Sequence, residues 1–508
     1  MAGSTTMPTR RTSRSDAHPP KSRLSKSRIV SGLQCERRLW LETYCREAME
    51  IDAASQAAFD TGHEVGELAR SLYGPGSLVE HVHDIDTALA ETAALLACGG
   101  KRRTLFEPAF RHSDVVVRAD VLKPVPGGYD LIEVKASTSV KDYHLTDCAI
   151  QAWVIEQAGI PLKHIRLAHL DNTFVYRGDA DYRGLLVAED VTGQVRELVA
   201  GVAPWVRRFK KVLRADEPAI ATGDQCHDPY PCPFFAHCRA QQPAGPKYPL
   251  SLLPHGGKLA RTLSEAGYLD LRKVPAARLD KPLHRRIHAA SISGRAFLDP
   301  AAARVLARLG YPRYHLDFET IAFAVPRWAG TRPYQQIPFQ WSCHIEQPDG
   351  SFNEHAFLDL SGEPPMRAFA ESLLATLGRR GPIMVYNQSF EASRVRELAT
   401  LCPDLALRLR GLIDRMVDLL PITRAHYYHP AMMGSWSLKA VLPTIAPELA
   451  YDRLGEVADG GQAQLAYVEA IHPQTSSERR AVLDTALRRY CANDTLALIR
   501  LAAVLARG

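Results

Sequence analysis

The sequence predicts an α/β protein of at least two domains, and three observations predict it. At 508 residues the chain exceeds what one hydrophobic core usually supports. Strand-like apolar runs bounded by turn residues occur in two separate stretches, around 115–135 and 313–387. Each stretch leads into longer, helix-like sequence. The first half is therefore expected to be a short mixed sheet flanked by helices, and the second a larger sheet followed by helices to the end. The Pro/Gly breaker Gln241-Gln-Pro-Ala-Gly-Pro-Lys-Tyr-Pro249 separates them.

Residues 1–28 read as a tail rich in Ser, Thr, Pro and Arg, too poor in apolar groups to pack, and are expected to be disordered. Residues 1–30 hold seven Lys/Arg and one acid, an excess equal to the whole-chain formal charge of +6. The folded remainder is thus neutral, and the basic character belongs to a tail that can brush phosphates nonspecifically. No run approaches the roughly 18 apolar residues of a membrane helix, and no apolar stretch follows the basic start. A membrane partner is not expected, and the cytoplasm is.

Residues 29–245 form the first expected domain. Cys35 lies near its start, in Ser31-Gly-Leu-Gln-Cys-Glu-Arg-Arg-Leu-Trp40, and His63 and Glu67 sit one helical turn apart. Residues 115–122 and 130–135 read as two strands joined by the turn Pro126-Gly-Gly128. Asp120 lies in the first; Glu133 and Lys135 share one face of the second. A helix from Leu145 to Ala158 carries Gln151. The domain closes with Cys226-x5-Cys232-x5-Cys238 in a Pro- and aromatic-rich loop. Structural zinc usually shows Cys-x2-4-Cys pairs, disulfides do not suit a reducing compartment, and plain buried thiols are the third alternative. Cys45, Cys98, Cys148, Cys343, Cys402 and Cys491 are scattered and read as core residues.

Residues 246–305 are expected to be a helical linker, helical over 259–290, with Leu263 to Leu271 resembling a helix-hairpin-helix. Residues 306–508 form the second domain, with strands near 313–320, 337–346, 351–358 and 382–387. In Tyr314-His-Leu-Asp-Phe-Glu-Thr320 the two-residue period puts Asp317 and Glu319 on one face, with Leu316 and Phe318 on the other. Two such carboxylates repel unless a divalent cation sits between them. In Ile383 to Arg394 a strand runs out at Asn387 and a helix begins that carries Glu391. Tyr490 and Asp494 stand four apart on a late helix. The loop Pro326 to Tyr334 interleaves Arg327 and Arg332 with Trp328 and Tyr334, a mixture that stacks bases and pairs phosphates or, alternatively, packs its own aromatics.

Residues 311–504 resemble the DEDD family of 3′ to 5′ exonucleases, whose motifs are Asp-x-Glu, Asn-x-x-Phe-Asp and Tyr-x-x-x-Asp. The resemblance implies an RNase H-like fold, metal binding by Asp317, Glu319 and Asp494, and a water-orienting role for Tyr490. Glu391 stands where the family has a second aspartate, one methylene longer. Two ions stabilising the entering and leaving oxygens of an in-line displacement suit carboxylates that bind Mg²⁺ or Mn²⁺.

The order Asp120, then Glu133-Val-Lys135, resembles the PD-(D/E)XK nucleases and implies a restriction-endonuclease-like fold. In that family Asp120 and Glu133 would hold a metal, Lys135 would polarise the water, and Gln151 would lie in the site. With Cys35 before this core and three cysteines after it, the half resembles the iron-sulphur members of the RecB-type exonucleases. That resemblance implies a [4Fe-4S] cluster on Cys35, Cys226, Cys232 and Cys238, stapling the domain's ends together. The family's Gly-x-x-x-His becomes Gly62 and Gly66 here, with His63 and Glu67 as substitutes, and its Gln-x-x-x-Tyr ends in Ile155. Together the halves resemble a bacterial family that joins a RecB-type to a DEDD-type domain. The expected activity is a metal-dependent nuclease acting on DNA or RNA, single-stranded ends favoured, in repair or defence. The alternative is a catalytically weak iron-sulphur clamp on nucleic acid. An iron-sulphur redox protein is disfavoured, since no Gly-x-Gly-x-x-Gly follows a strand.

Overall fold

A computed structural model describes residues 24–81, 84–97 and 102–507. The described chain is mixed α/β and divides into two units. The first takes in the chain up to Asp52, Asp60–Asp171 and Arg183–Gln242; the second takes in Ala53–Phe59, Asn172–Tyr182 and Pro243 onward. Most of the expected basic tail, and Cys98, lie outside the described residues. Its last residues correct the expectation. Leu24–Ser25 is a strand and Lys26–Gln34 a helix, capped by the Ser25 hydroxyl on the Arg28 N–H.

In the first unit a six-stranded mixed sheet runs in the order Gly76–Leu78, Thr104–Phe106, Val121–Val125, Gly128–Lys135, Leu162–Leu170, Leu186–Asp190. The central strand Gly128–Lys135 pairs antiparallel with Val121–Val125 and parallel with Leu162–Leu170, and the helix Asp142–Gln157 makes the crossover. Gly128 permits the tight start: a Cβ there would stand 2.5 Å from the Pro161 carbonyl oxygen. Residues 115–122, expected as one strand, are two. Val115–Arg118 joins a three-stranded sheet with Leu24–Ser25 and Ala109–His112, and Val121–Val125 joins the large one. Ala119 and Asp120 form the break, so Asp120 stands where the chain passes from one sheet to the other. The helix Thr192–Val212 closes the core with Val202, Val206 and Phe209, packed with Leu24, Ile29, Leu131 and Ile150.

In the second unit a five-stranded sheet runs Phe352–Leu358, Ile337–Glu346, Arg313–Ile321, Ile383–Val385, Met416–Asp418. The first three are antiparallel, and the last two run parallel to Arg313–Ile321. Four of these strands fall near the expected positions. Met416–Asp418 has only two apolar residues before its acid and is not among the expected strands. Leu316 and Phe318 are buried beneath the sheet, Phe318 edge-on to Phe369 at 5.1 Å, each contributing about 1.5–3 kcal/mol by burial. Residues 246–305 are not a separate linker. Leu263, Leu271 and Ile287 share one core with Tyr427, Tyr428 and Leu498, the last from the helix Ser477–Arg507.

Candidate functional site

The acids of the second unit converge. Asp317 and Glu319 stand on the central strand, beside a register shift between Glu319 and Thr320 that bends the strand. The helix Ser477–Arg507 packs over them and presents Tyr490, Cys491 and Asp494. Single ligand atoms of Asp317, Glu319 and Cys491 all lie within 4.8 Å of one another. The Tyr451 hydroxyl donates to Asp494 Oδ1 at 2.5 Å, and the Lys439 Nζ lies 5.4 Å from the Tyr451 ring centre. Glu391 is carried one turn into the helix Gln388–Leu401. It is 2% exposed, and its Oε2 has no hydrogen-bond partner.

The electrostatics are those of crowded anions. Burial, then Asp494, Glu319 and Glu391, push the Asp317 carboxyl well above its ordinary range. Burial and Asp494 do the same to Glu319, with Lys439 opposing. Burial raises Asp494 to about 7 against the pull of Tyr451, Lys439 and Tyr490, and raises Glu391 to about 8, Asp418 adding and Arg394 opposing. Buried carboxylates that disfavour one another's charge this strongly, with oxygens and a thiol pointing at one point, are a donor set suited to a divalent cation. Burial and the acids also hold the Tyr490 phenol protonated far above its usual range.

Asn387 turns the strand into the helix with a left-handed backbone, φ 75° and ψ 64°. The Asn387 and Gln388 N–H groups both donate to Asp418, at 3.0 Å each, so the missed strand supplies the acid that fixes this turn. Asn387 is exposed and lines a cleft of about 640 Å³ with His255, Tyr386, Arg424, Ser435 and Leu438. In the loop after the first acids, Arg332 and Tyr334 are exposed. Arg327 is exposed too, with its guanidinium 4.2 Å over the Phe323 ring. Trp328 corrects the stacking expectation: it is buried, edge-on to Phe323, and its indole N–H donates to the Gly362 carbonyl at 3.0 Å. It is part of the core.

In the first unit Asp120, Glu133, Lys135 and Gln151 come together as the motif order implies. The Val134 N–H donates to Asp120 at 2.6 Å, and the Gln151 amide to Glu133 Oε2 at 2.5 Å. Lys135 bridges Glu133 at 2.8 Å and Asp147 at 2.6 Å. A residue expected in the tail completes the group: Lys26 Nζ lies 2.6 Å from the same Glu133 oxygen that Lys135 contacts. The two lysines hold Glu133 ionised far below its usual range although burial opposes this. Burial, with Glu133 adding, raises Asp120 to about 7. His63 and Glu67 are exposed on the helix Ala53–Leu72, Glu67 3.6 Å from Arg70. The acid that instead reaches Asp120 and Glu133 electrostatically is Glu107.

Cys35, Cys226, Cys232 and Cys238 are free thiols that line one small cavity. Gln34 ties the two segments together before any ligand does, its amide donating to the carbonyls of Gln225 and Tyr230 at 2.8 Å each. A tetrahedral zinc with bonds of about 2.3 Å needs sulfurs about 3.8 Å apart. Among the described residues the tight group of metal-ligating atoms lies elsewhere, at Asp317, Glu319 and Cys491. Of the six cysteines read as core, Cys148, Cys343, Cys402 and Cys491 are buried, whereas Cys45 is half-exposed.

Sequence reasoning missed Lys26, Glu107, Asp147, Asp418, Lys439, Tyr451 and Cys491. Asp418 carried a signal, an acid ending a short apolar run; Tyr451 and Lys439 carried none, being brought in from distant helical segments. A family profile described as Domain of unknown function (DUF2779) matches residues 314–437. That span holds Asp317, Glu319, Asn387 and Glu391. No curated protein matches the chain. Among the described residues no helix is long and apolar enough to cross a membrane.

Proposed function

We propose that this chain is a metal-dependent nuclease that hydrolyses phosphodiester bonds of DNA or RNA from strand ends, with its main centre in the second unit. The observation that carries this reading is the convergence of Asp317, Glu319, Glu391 and Asp494, all raised by burial, with Asp494 raising Asp317 and Glu319 further and Glu319 and Glu391 adding to Asp317. An RNase H-like fold fits a sheet whose first three strands are antiparallel and whose last two run parallel to the central one. Bound Mg²⁺ or Mn²⁺ would supply the charge that stabilises the attacking and leaving oxygens at phosphorus. Asp317, Glu319 and Asp494 would hold it, with Glu391 at the fourth position.

The chain's own groups do the rest. Tyr490, kept as a neutral phenol, donates a hydrogen bond and orients the attacking water rather than taking its proton. Tyr451 fixes the Asp494 carboxylate through its Oδ1. Lys439 faces Glu319 and Asp494 with a positive charge that favours an approaching phosphate. Asn387, Arg332 and Tyr334 remain the surface groups for a strand end. The test is digestion of end-labelled single-stranded DNA and RNA with Mg²⁺, Mn²⁺ and Zn²⁺, comparing wild type with Asp317→Asn and Lys135→Ala. Loss in Asp317→Asn with retention in Lys135→Ala supports this assignment; binding without any cutting sinks it.

For the first unit a specific observation favours the clamp reading. In a restriction-endonuclease-like site Glu133 would turn to a cation with Asp120, yet here Lys26 and Lys135 already neutralise it. We assign this half to holding nucleic acid, with the four thiols binding a [4Fe-4S] cluster. Four thiols lining one cavity suit the thiolate ligation of such a cluster.

A further inference from the structure

Cys491 is the one member of the converging groups that the four-acid reading leaves without a role. It is fully buried on the helix Ser477–Arg507, between Tyr490 and Asp494. Its Sγ lies 3.8 Å from Oδ2 of Asp317 and 3.8 Å from the Asp317 carbonyl oxygen. Both are too long for a strong hydrogen bond, and sulfur is a weak donor. The thiol is therefore held at the carboxylate by the packing of the helix on the strand.

The distances suit a shared ion. Bonds of about 2.3 Å to sulfur and about 2.1 Å to oxygen set tetrahedral ligands about 3.6 Å apart. The Cys491 Sγ, Asp317 and Glu319 atoms already lie within 4.8 Å of one another. A second observation, on another element, involves the same Asp317. Glu391, 2% exposed and on the helix Gln388–Leu401, has an unpartnered Oε2 and acts electrostatically on Asp317. A buried carboxylate oxygen without a donor costs about 1–3 kcal/mol unless something fills its lone pairs. A core thiol with no such neighbours looks different: Cys343 is as deeply buried, and burial alone acts on it.

We propose that Cys491 is a ligand of the second unit's metal centre, and that this centre consequently prefers a thiophilic divalent cation of the Zn²⁺ or Cd²⁺ type over Mg²⁺. The proposal rests on reading the acid cluster as a metal centre. Three or four carboxylates alone form a hard site, which suits Mg²⁺ or Mn²⁺. Mg²⁺ also demands near-octahedral oxygen geometry and dehydrates reluctantly, so a sulfur in the set disfavours it twice over. The same sulfur stabilises zinc-like ions, which accept mixed sulfur and oxygen ligands in a tetrahedron.

The experiment is ¹¹³Cd NMR of the full chain titrated with ¹¹³Cd²⁺, because the cadmium shift separates oxygen-only, single-thiolate and four-thiolate environments. The last of these marks the four-cysteine site and keeps the two apart. The expected result is a single-thiolate resonance that moves to the oxygen-only range in Cys491→Ser and disappears in Asp317→Asn. An oxygen-only resonance, lost in Asp317→Asn but unmoved by Cys491→Ser, overturns the thiol ligand and leaves the acid centre standing. If no resonance responds to Asp317→Asn, the acid centre fails with it. Cys491→Ala, with circular dichroism to confirm folding, replaces the serine variant should that one unfold.

Discussion

Lys26 Nζ and Glu133 Oε1, 107 residues apart in the chain, form an ion pair at 2.6 Å around a carboxylate whose side chain is 2% exposed. A lysine at the start of the first described helix thus reaches the centre of the first unit's large sheet.

Removing that lysine exposes what it balances. Lys26→Met leaves Lys135 and Gln151 on Glu133, so the loss is expected near the lower end of the about 3–5 kcal/mol typical of a broken buried pair. Urea melts with and without Mn²⁺ measure it. Mn²⁺ is expected to restore stability to the variant more than it adds to wild type, since Asp120 and Glu133 then face one cation fewer. An equal response in both chains counts against Lys26 as the occupant of that charge.

Asp317→Asn and Glu319→Gln are expected to lower cleavage by at least about 100-fold, as loss of a group stabilising developing charge does elsewhere. Metal-free melting temperatures of both variants should equal or exceed that of wild type, because each change removes a charge that its buried neighbours oppose. A metal-free chain strongly destabilised by either substitution would falsify the crowded-anion description.

Glu391 sets a pH dependence. Its folded carboxyl titrates at about 8 against an ordinary 4.5. Below about 4.5 the folded and unfolded chains both carry the proton, so the group costs nothing. As pH rises toward 8 the unfolded chain ionises first, and metal-free stability falls by a few kcal/mol at most. Glu391→Gln should therefore raise the metal-free melting temperature at pH 8 and leave it unchanged at pH 4.5. Calorimetry at the two pH values decides the point.

Tyr451→Phe removes the hydroxyl that donates to Asp494. A ligand deprived of its orienting bond typically costs about 10–100-fold in metal affinity, so Mn²⁺ titration followed by electron paramagnetic resonance should show weaker binding at the centre. Unchanged affinity would mean that the helix alone positions Asp494.

Cys226→Ser tests the first unit's thiols. Anaerobically purified wild type is expected to carry iron and visible absorbance that the variant lacks. The first unit should melt earlier, while any separate transition of the second unit stays in place.

The second unit's sheet was legible because Arg313–Ile321 and Ile337–Glu346 alternate and Ile383–Val385 is a short apolar run, and Asp317 and Glu319 followed from the two-residue period. Glu391 and Asp494 could be placed on helices from their spacing. What the pattern could not carry was long-range packing. Tyr451 meets Asp494 across a 43-residue separation that no periodicity encodes. Trp328 looked available because its loop is rich in Pro, Gly and Arg, yet tertiary packing buried it. Asp120 was found in sequence inside an apparent continuous strand, and only the structure shows the strand breaking there to pass between two sheets. Lys26 was hidden by composition, since it closes a basic segment whose earlier residues look unfoldable.

The helix Ser477–Arg507 delivers three of the second centre's groups. Cys491 and Asp317 are 174 residues apart in the chain. During synthesis the strand carboxylates therefore leave the ribosome long before the helix that covers them. The cluster is a product of late, long-range docking, and a chain shortened before Tyr490 would lack the helix face that completes it.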